Sequence, residues 1–417
     1  MGAGCLERRR VIDWEKLNFA TALRLIGGRI EMPGKSEQLL NAAVRLEHNQ
    51  YVPVAPMIYY FAANYAGISM YELWSDWSKY ETAIKKCFQE LGPWDIYYNI
   101  CPYSPIAYQA CLLMKVKYPG KDLPADSICQ FDEYEMMTAQ DYDWILGYQG
   151  AEFMFYTNYT VRILSKFMPE FAGQGWTEKY RLARGILINF LAWRWHFRWF
   201  REQGAAILSG TQSESPFDQF SMSRSLQPFS LDLMDRPETV QAAAKRLAKS
   251  FAQNHILFSK ISGVPRMLIY VHRSSTDFVS PKIFAEIALP ALKEICQALI
   301  EAGITPILHC DGNWDKNLKH LRRLPAKKCI IQFDGPTDIF RAKQELGDIH
   351  CLFGDVNAYD LAFGSPQKVD EYCHRLIEEV GKGGGFILAA GCEIPANAKP
   401  ENVKAMIQAA RKYKAPA

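Results

Sequence analysis

Residues 304–313 read ITPILHCDGN: a short apolar run of strand length, 304–308, that stops on the polar string His309-Cys310-Asp311-Gly312-Asn313. Ahead of it, 281–302 carries apolar residues at helical spacing, and 315–323 resumes that spacing behind it. The same alternation recurs outward. Strand-like runs occupy 267–271 (MLIYV), 328–333 (KCIIQF), 349–353 (IHCLF) and 385–390 (GFILAA), and helix-like runs occupy 336–345, 366–380 and 400–413. Strands separated by helices must run parallel, because only a crossover brings the chain back to the same edge of the sheet. No G-x-G-x-x-G follows any of these strands, so a dinucleotide-binding sheet loses its main support. The expected fold is therefore α/β, a (β/α)8 TIM barrel over 46–417 with an N-terminal helical extension over 1–45.

The first half is less regular. Residues 51–124 are rich in aromatics, Pro and Gly, with a strand-like stretch Met114–Tyr118 before the turn Pro119-Gly120. Helical patterns dominate 139–204. The Ser-, Pro- and Phe-rich stretch from Gly210 to Pro237 reads as a long connection of the kind that forms lids or binding loops.

Bulk properties narrow the function classes. Of 417 residues, 49% are apolar and 22% charged, which describes a folded globular chain. A net charge of +3 gives no basic stripe for a phosphate backbone, so nucleic acid is not an expected partner. The eleven cysteines include no C-x-x-C pair and are odd in number, which is no disulfide framework. The start, MGAGCLERRR, lacks an apolar signal core, and the most apolar stretch, GILINFLAW at 185–193, is half a bilayer span. The expectation is a cytoplasmic protein without membrane contact, with homo-oligomerisation left open.

In a barrel of this kind catalytic groups stand at the C-terminal ends of the strands. Here those positions hold His272 and Ser274-Ser275-Thr276-Asp277, then His309 to Asn313, then Asp334-Gly335, Gly354-Asp355 and Gly391-Cys392-Glu393. Short polar residues at such places often only cap the next helix. The pair His309 and Asp311 continues a strand's period of two, so both face one side while Cys310 faces away. Cys392, on the strand that should close the barrel, reaches the same mouth. One imidazole, one carboxylate and one thiolate with a fourth position open is the layout of a catalytic zinc centre. Asp334, Asp277 and His272 are the nearest groups for orienting a substrate or exchanging its proton. The aromatic text before them supplies Tyr59, Tyr60, Phe61, Tyr65, Trp94, Tyr97, Tyr98 and Tyr103, with Asn64 among them; Tyr59, Tyr60, Asn64 and Tyr97 are the expected substrate-binding residues.

Across roughly 50–417 the sequence resembles the uroporphyrinogen decarboxylase superfamily, and within it the zinc-dependent, corrinoid-linked methyltransferases. The resemblance is most specific in VSPKIFAEIALPALKEICQALIEAGITPILHCDGN (279–313), GDVNAYDLAFGSPQKVDEYC (354–373) and GFILAAGCEIPANAKPENVKAMIQAAR (385–411). The methyltransferases carry His-x-Cys after the strand and a second Cys in an AGC-like loop, so His309 and Cys392 match ligand positions while Asp311 replaces a Cys. Oxygen in place of sulfur makes the site harder and favours an oxygen-bound substrate over a thiol acceptor. The resemblance implies a zinc ion in this chain, a corrinoid (cobalamin) carried by a partner protein, and a small methylated substrate. A methoxylated aromatic demethylated at oxygen fits the hard site and the aromatic text. The alternative is decarboxylation of a small carboxylate or a porphyrinogen. Decarboxylases of the superfamily hold a polyanionic tetrapyrrole with R-x-x-G-R arginines near the N-terminus. The corresponding stretch, 53–64, has none, and no arginine occurs between Arg45 and Arg162.

Overall fold

Five parallel crossovers order the second half of the chain. The computed structural model describes residues 34–100 and 105–417, so most of the expected N-terminal extension and Tyr103 lie outside the described residues. We number the barrel strands β1 (Ile96–Tyr97), β2 (Ala206–Ile207), β3 (Thr211–Glu214), β4 (Arg266–Tyr270), β5 (Thr305–Cys310), β6 (Ile330–Phe333), β7 (Cys351–Val356) and β8 (Phe386–Ala390). Strands β3 to β8 form one parallel sheet in sequence order, and β1 pairs in parallel with β2. The two parts join into a ring. Val54 bridges to Leu388 of β8, with Ala55 N–H donating to the Leu388 carbonyl, and Val54 in turn accepts from Ile96 N–H at the start of β1. Strands β2 and β3 are neighbouring pieces of one extended run, and Gly210 between them donates to the Arg266 carbonyl of β4. The result is a closed (β/α) barrel.

Alternation along each strand sorts the residues into two cores. Leu268, Ile307, Ile330, Cys351, Phe353 and Ile387 fill the interior. Met267, Ile269, Leu308, Ile331, Leu352 and Leu388 face outward and pack under the surrounding helices. Complete burial of such side chains contributes about 1.5–3 kcal/mol each. The bottom is plugged by helix Lys35–Val44, whose Leu40, Ala43 and Val44 enter the interior cluster. Its Glu37 takes a two-pronged hold on buried Arg266, at 2.6 and 3.0 Å.

Two elements depart from expectation. Gly210–Pro237 is no open connection: it contains β3 and the helices Pro216–Arg224 and Leu226–Asp235. Every residue of Pro216–Arg224 is buried, so the helix shows no amphipathic period to read. Strands β5 and β7 also run past their apolar text, to Cys310 and Val356. Their polar residues stay in the sheet because they pair across it, His309 opposite Gln332 and Cys310 opposite Phe333.

Candidate metal centre

His309 belongs to β5 and points into the barrel, while Cys310 beside it is buried in the outer core. One residue beyond the strand end, Asp311 places Oδ1 2.8 Å from His309 Nε2. From the β4 end, His272 brings Nε2 to 3.3 Å from Asp311 Oδ2. Cys392 Sγ, just after β8, lies 3.6 Å from His309 Nε2. Potential ligand atoms of His272, His309 and Asp311 all lie within 4.8 Å of one another. The structure thus gathers His309, Asp311 and Cys392, and it brings His272 close enough to be a ligand as well.

The neighbours fix how His309 is presented. Gln332 Nε2 lies 3.1 Å from the Gly391 carbonyl, which can only accept, so its amide nitrogen must point there. Gln332 Oε1 then faces His309 Nδ1 at 2.8 Å and also accepts from the Tyr98 hydroxyl at 2.8 Å. An acceptor at Nδ1 requires the proton on that nitrogen, which leaves the Nε2 lone pair turned toward Asp311 and Cys392. Such an outer partner is the usual device for holding a ligating imidazole. Asp311 Oδ1 is buried without a hydrogen bond among the described residues. At 2.8 Å His309 Nε2 and Asp311 Oδ1 must share a cation: a proton on Nε2 in the metal-free protein, or a divalent ion of zinc type that displaces it, to which the donor set is suited.

Charges in the cluster are coupled. Burial opposes protonation of His272, but the carboxylates of Glu214 and Asp311 outweigh it and raise its pKa to about 9. Burial likewise opposes a charged His309, and Asp311 overrides it, holding the imidazole well above its ordinary value. Burial alone would raise Asp311, yet the two histidines hold it below the usual carboxylate range. Asp334 receives the Gly312 N–H at 3.0 Å and is pushed up to about 6 by burial and by the charge of Asp311. Asp277 is exposed and receives the Asn313 N–H at 2.8 Å, so it pins the loop that carries Asp311.

Several residues in or near the cluster lack a clear sequence signal. Glu214, at the end of β3, is fully buried with Oε1 2.9 Å from His272 Nδ1. Asp218 receives the Arg273 N–H and the Ser274 hydroxyl and so anchors the loop after β4. Tyr98 and Gln332 complete the support of His309.

The expected aromatic set divides. Tyr97 faces outward: it stacks on Phe200 at 3.9 Å and its hydroxyl meets Tyr80 and His196, so the period of two gives the interior position to Tyr98 instead. Tyr59 is buried among Tyr60, Trp74 and Tyr80. These two are core residues rather than pocket walls. Tyr60 accepts the Cys129 N–H through its hydroxyl, and its own N–H donates to half-buried Glu393 at 2.7 Å. Asn64 donates to the Ala396 carbonyl in the loop beyond Cys392.

The family model described as uroporphyrinogen decarboxylase (URO-D) matches residues 203–413, just over half of the chain. The chain belongs to the uroporphyrinogen decarboxylase family. Among the family's curated members, the uroporphyrinogen decarboxylase of Pseudoalteromonas atlantica is 24% identical over 144 residues, 33% of this chain and 39% of that protein. The methylcobamide:CoM methyltransferase of Methanosarcina acetivorans is 24% identical over 154 residues, 37% of this chain and 43% of that protein. These alignments span less than half the length of either relative. The solved structure of a methyltransferase from Methanosarcina mazei superposes with a TM-score of 0.65 at 17% identity, covering 91% of this chain and 99% of that one, which establishes the shared fold.

Proposed function

We propose that this member of the family is a zinc-dependent methyltransferase. It would move a methyl group between a small methylated donor, a methoxylated aromatic compound, and the cobalt of a partner corrinoid protein. The observation that carries the reading is the His309 tautomer fixed by Gln332 and aimed at Asp311 and Cys392 in the barrel mouth. A methyltransferase among the relatives supports the reaction class. His309, Asp311 and Cys392 would hold the ion. Bound there, zinc would supply Lewis acidity toward a methyl-bearing oxygen.

The chain's own residues do the rest. Tyr98, Phe353 and Leu268 make an apolar floor beneath His309 and exclude water from below. Glu214 orients His272, and Asp334, poised near 6, can give a proton to the oxygen that loses its methyl group or take one in the reverse direction. A reduced corrinoid on the partner would accept the methyl group as the O–CH3 bond breaks, and the proton from Asp334 would let the aryl oxygen leave as a phenol. The proximity of His272 to Asp311 favours a second ligand set in which His272 joins or replaces Cys392.

The test uses the purified chain, zinc and a separately prepared reduced corrinoid protein. Methoxylated aromatics should convert the corrinoid to its methylated form, seen in its visible spectrum, and should release the phenol. Turnover with methylated amines or thiols alone would overturn the oxygen-donor reading. In the cobalt-substituted protein, Cys392→Ala should abolish sulfur-to-metal charge-transfer absorption; unchanged absorption would remove Cys392 from the ligand set.

A further inference from the structure

The small net charge of the chain, +3, conceals a local excess. Residues 315–328, DKNLKHLRRLPAKK, carry Lys316, Lys319, Arg322, Arg323, Lys327 and Lys328 against the single acid Asp315, so this stretch alone is net +5 and the rest of the chain is net negative. The stretch leaves the metal loop just beyond Asp311, forms the short helix Leu318–Leu321 and returns to the foot of β6. Its cations, all exposed, therefore make a stripe down the outer wall of the barrel from the rim of the mouth.

The fold does not account for this cluster. Among the described residues only Arg322 of the six forms an ion pair, with Asp348 at 2.7 Å. The one acid on the neighbouring helix Ile339–Leu346, Glu345, is held by Arg341 at 2.8 Å. The Asp315 carboxylate accepts from the Asn313 amide and the Asp338 N–H. His320 has its pKa lowered by burial and then by the charges of Lys319 and Arg323, so both cations stand beside it. Crowded like charges repel one another and weaken a fold rather than hold it.

The rim on either side of the metal loop is apolar as well. Phe278 in the loop after β4, and Tyr359 and Phe363 in the short helix Ala358–Phe363 after β7, are 46%, 66% and 61% exposed. The loops after β4 to β7 follow one another around the mouth, so these aromatics flank the loop that carries Asp311 and Lys316. They are not interleaved with the cations, as a strand of nucleic acid would require. Apolar anchors with a charged margin are the make-up of a protein-binding face. We propose, on the methyl-transfer reading above, that the corrinoid protein seats on this sector of the rim, with Phe278, Tyr359 and Phe363 as anchors and an acidic face of its own against Lys316, Lys319 and Arg323. A partner that must arrive and leave in every turnover gains from charges that speed its approach, while the apolar contacts set how long it stays. Lys327 and Lys328, at the far end of the wall, extend the guiding field.

Association and dissociation rates of the reduced corrinoid protein on the full zinc-loaded chain, measured without a methyl donor, test the assignment. Association should slow about ten-fold or more between about 0.02 and 0.3 M salt. Combining Lys316→Glu, Lys319→Glu and Arg323→Glu should slow it about ten-fold or more at low salt, with the gap closing at high salt and zinc content unchanged. Tyr359→Ala with Phe363→Ala should speed dissociation about ten-fold at either salt. Association that ignores both salt and the charge reversal, dissociation unmoved by the aromatic pair, or duplex DNA that binds the parent chain more tightly than the corrinoid protein does would each overturn the proposal. Free reduced cobalamin needs no docking face, so the charge-reversed chain should match the parent in demethylating a methoxylated aromatic with it. If neither acceptor supports turnover while docking keeps its salt dependence, the methyl-transfer reading falls and the docking face stands.

Discussion

His272 carries opposite obligations in the metal-free and metal-loaded protein. Without an ion, its pKa of about 9 exceeds the ordinary 6.5, so its pairing with Glu214 and Asp311 stabilises the folded state. That stabilisation is fully present below pH 6.5 and is lost as pH rises through about 9. At 1.36 kcal/mol per unit its upper bound is about 3 kcal/mol, reduced by the quarter of the side chain that solvent reaches. Denaturant melts of the metal-free protein at pH 6 and 9.5, compared with His272→Gln, should show a pH-dependent difference of that sign. A parallel pH profile for the two proteins would contradict the pairing. A metal reverses the balance, because it must displace the proton from His309, and from His272 if that ring ligates. The Cys392 thiol, which burial pushes up, must lose its proton as well, so zinc affinity should rise steeply with pH between 6.5 and 9, and calorimetry in buffers of different ionisation enthalpy should count two protons released, or three if His272 ligates.

At the scale of the element, β5 shows what the sequence discloses and what it hides. The apolar run before His309 and the i, i+2 spacing of His309 and Asp311 are local patterns, and the structure turns Cys310 outward as that period requires. Zinc content should follow the same register. Asp311→Ala and Cys392→Ala should empty or weaken the site, while Cys310→Ser should leave it filled; emptying by Cys310→Ser alone would mean that β5 is shifted by one residue. The supports of the site were illegible for a different reason. Gln332 is a lone amide in the apolar run KCIIQF, and its meaning comes only from β5 beside it and Gly391 beyond it. Gln332→Leu should lower zinc affinity about 10- to 100-fold with the ligands intact; unchanged affinity would show that the amide is only filling space. Glu214 was hidden because a fully buried helix follows it and leaves no amphipathic pattern, so the stretch reads as a loop. Tyr97 and Tyr98 are equivalent as text, and the phase of a two-residue strand separates them only once its pairing with Ala206–Ile207 is known.

For the molecule as a whole, family membership leaves two branches, and the charge lining the barrel mouth separates them. A tetrapyrrole with many carboxylates would need several fixed cations there, since each unpaired charge taken out of water costs several kcal/mol. The stretch 53–64, where the decarboxylase resemblance expects arginines, is Pro-Val-Ala-Pro-Met-Ile-Tyr-Tyr-Phe-Ala-Ala-Asn, and most of it is buried. Among the described residues, the arginines near the mouth do not replace them. Arg273, just after β4, is bound to Glu133 at 2.6 Å, and Arg224 is committed to Asp232 at 2.6 Å and to Glu135. In the metal-free protein the carboxylates Asp311 and Glu214 neutralise the protonated His272 and His309, and Asp334 adds further negative charge, so no free cation is left there for such a substrate. The chain should therefore release no carbon dioxide from uroporphyrinogen above background under conditions where an authentic decarboxylase is active, with or without zinc. Freeing the existing guanidinium by Glu133→Gln should not create the activity, because one cation cannot offset a polyanion. Clear turnover by the parent chain would overturn the methyltransferase reading and assign the acidic mouth a role in decarboxylation.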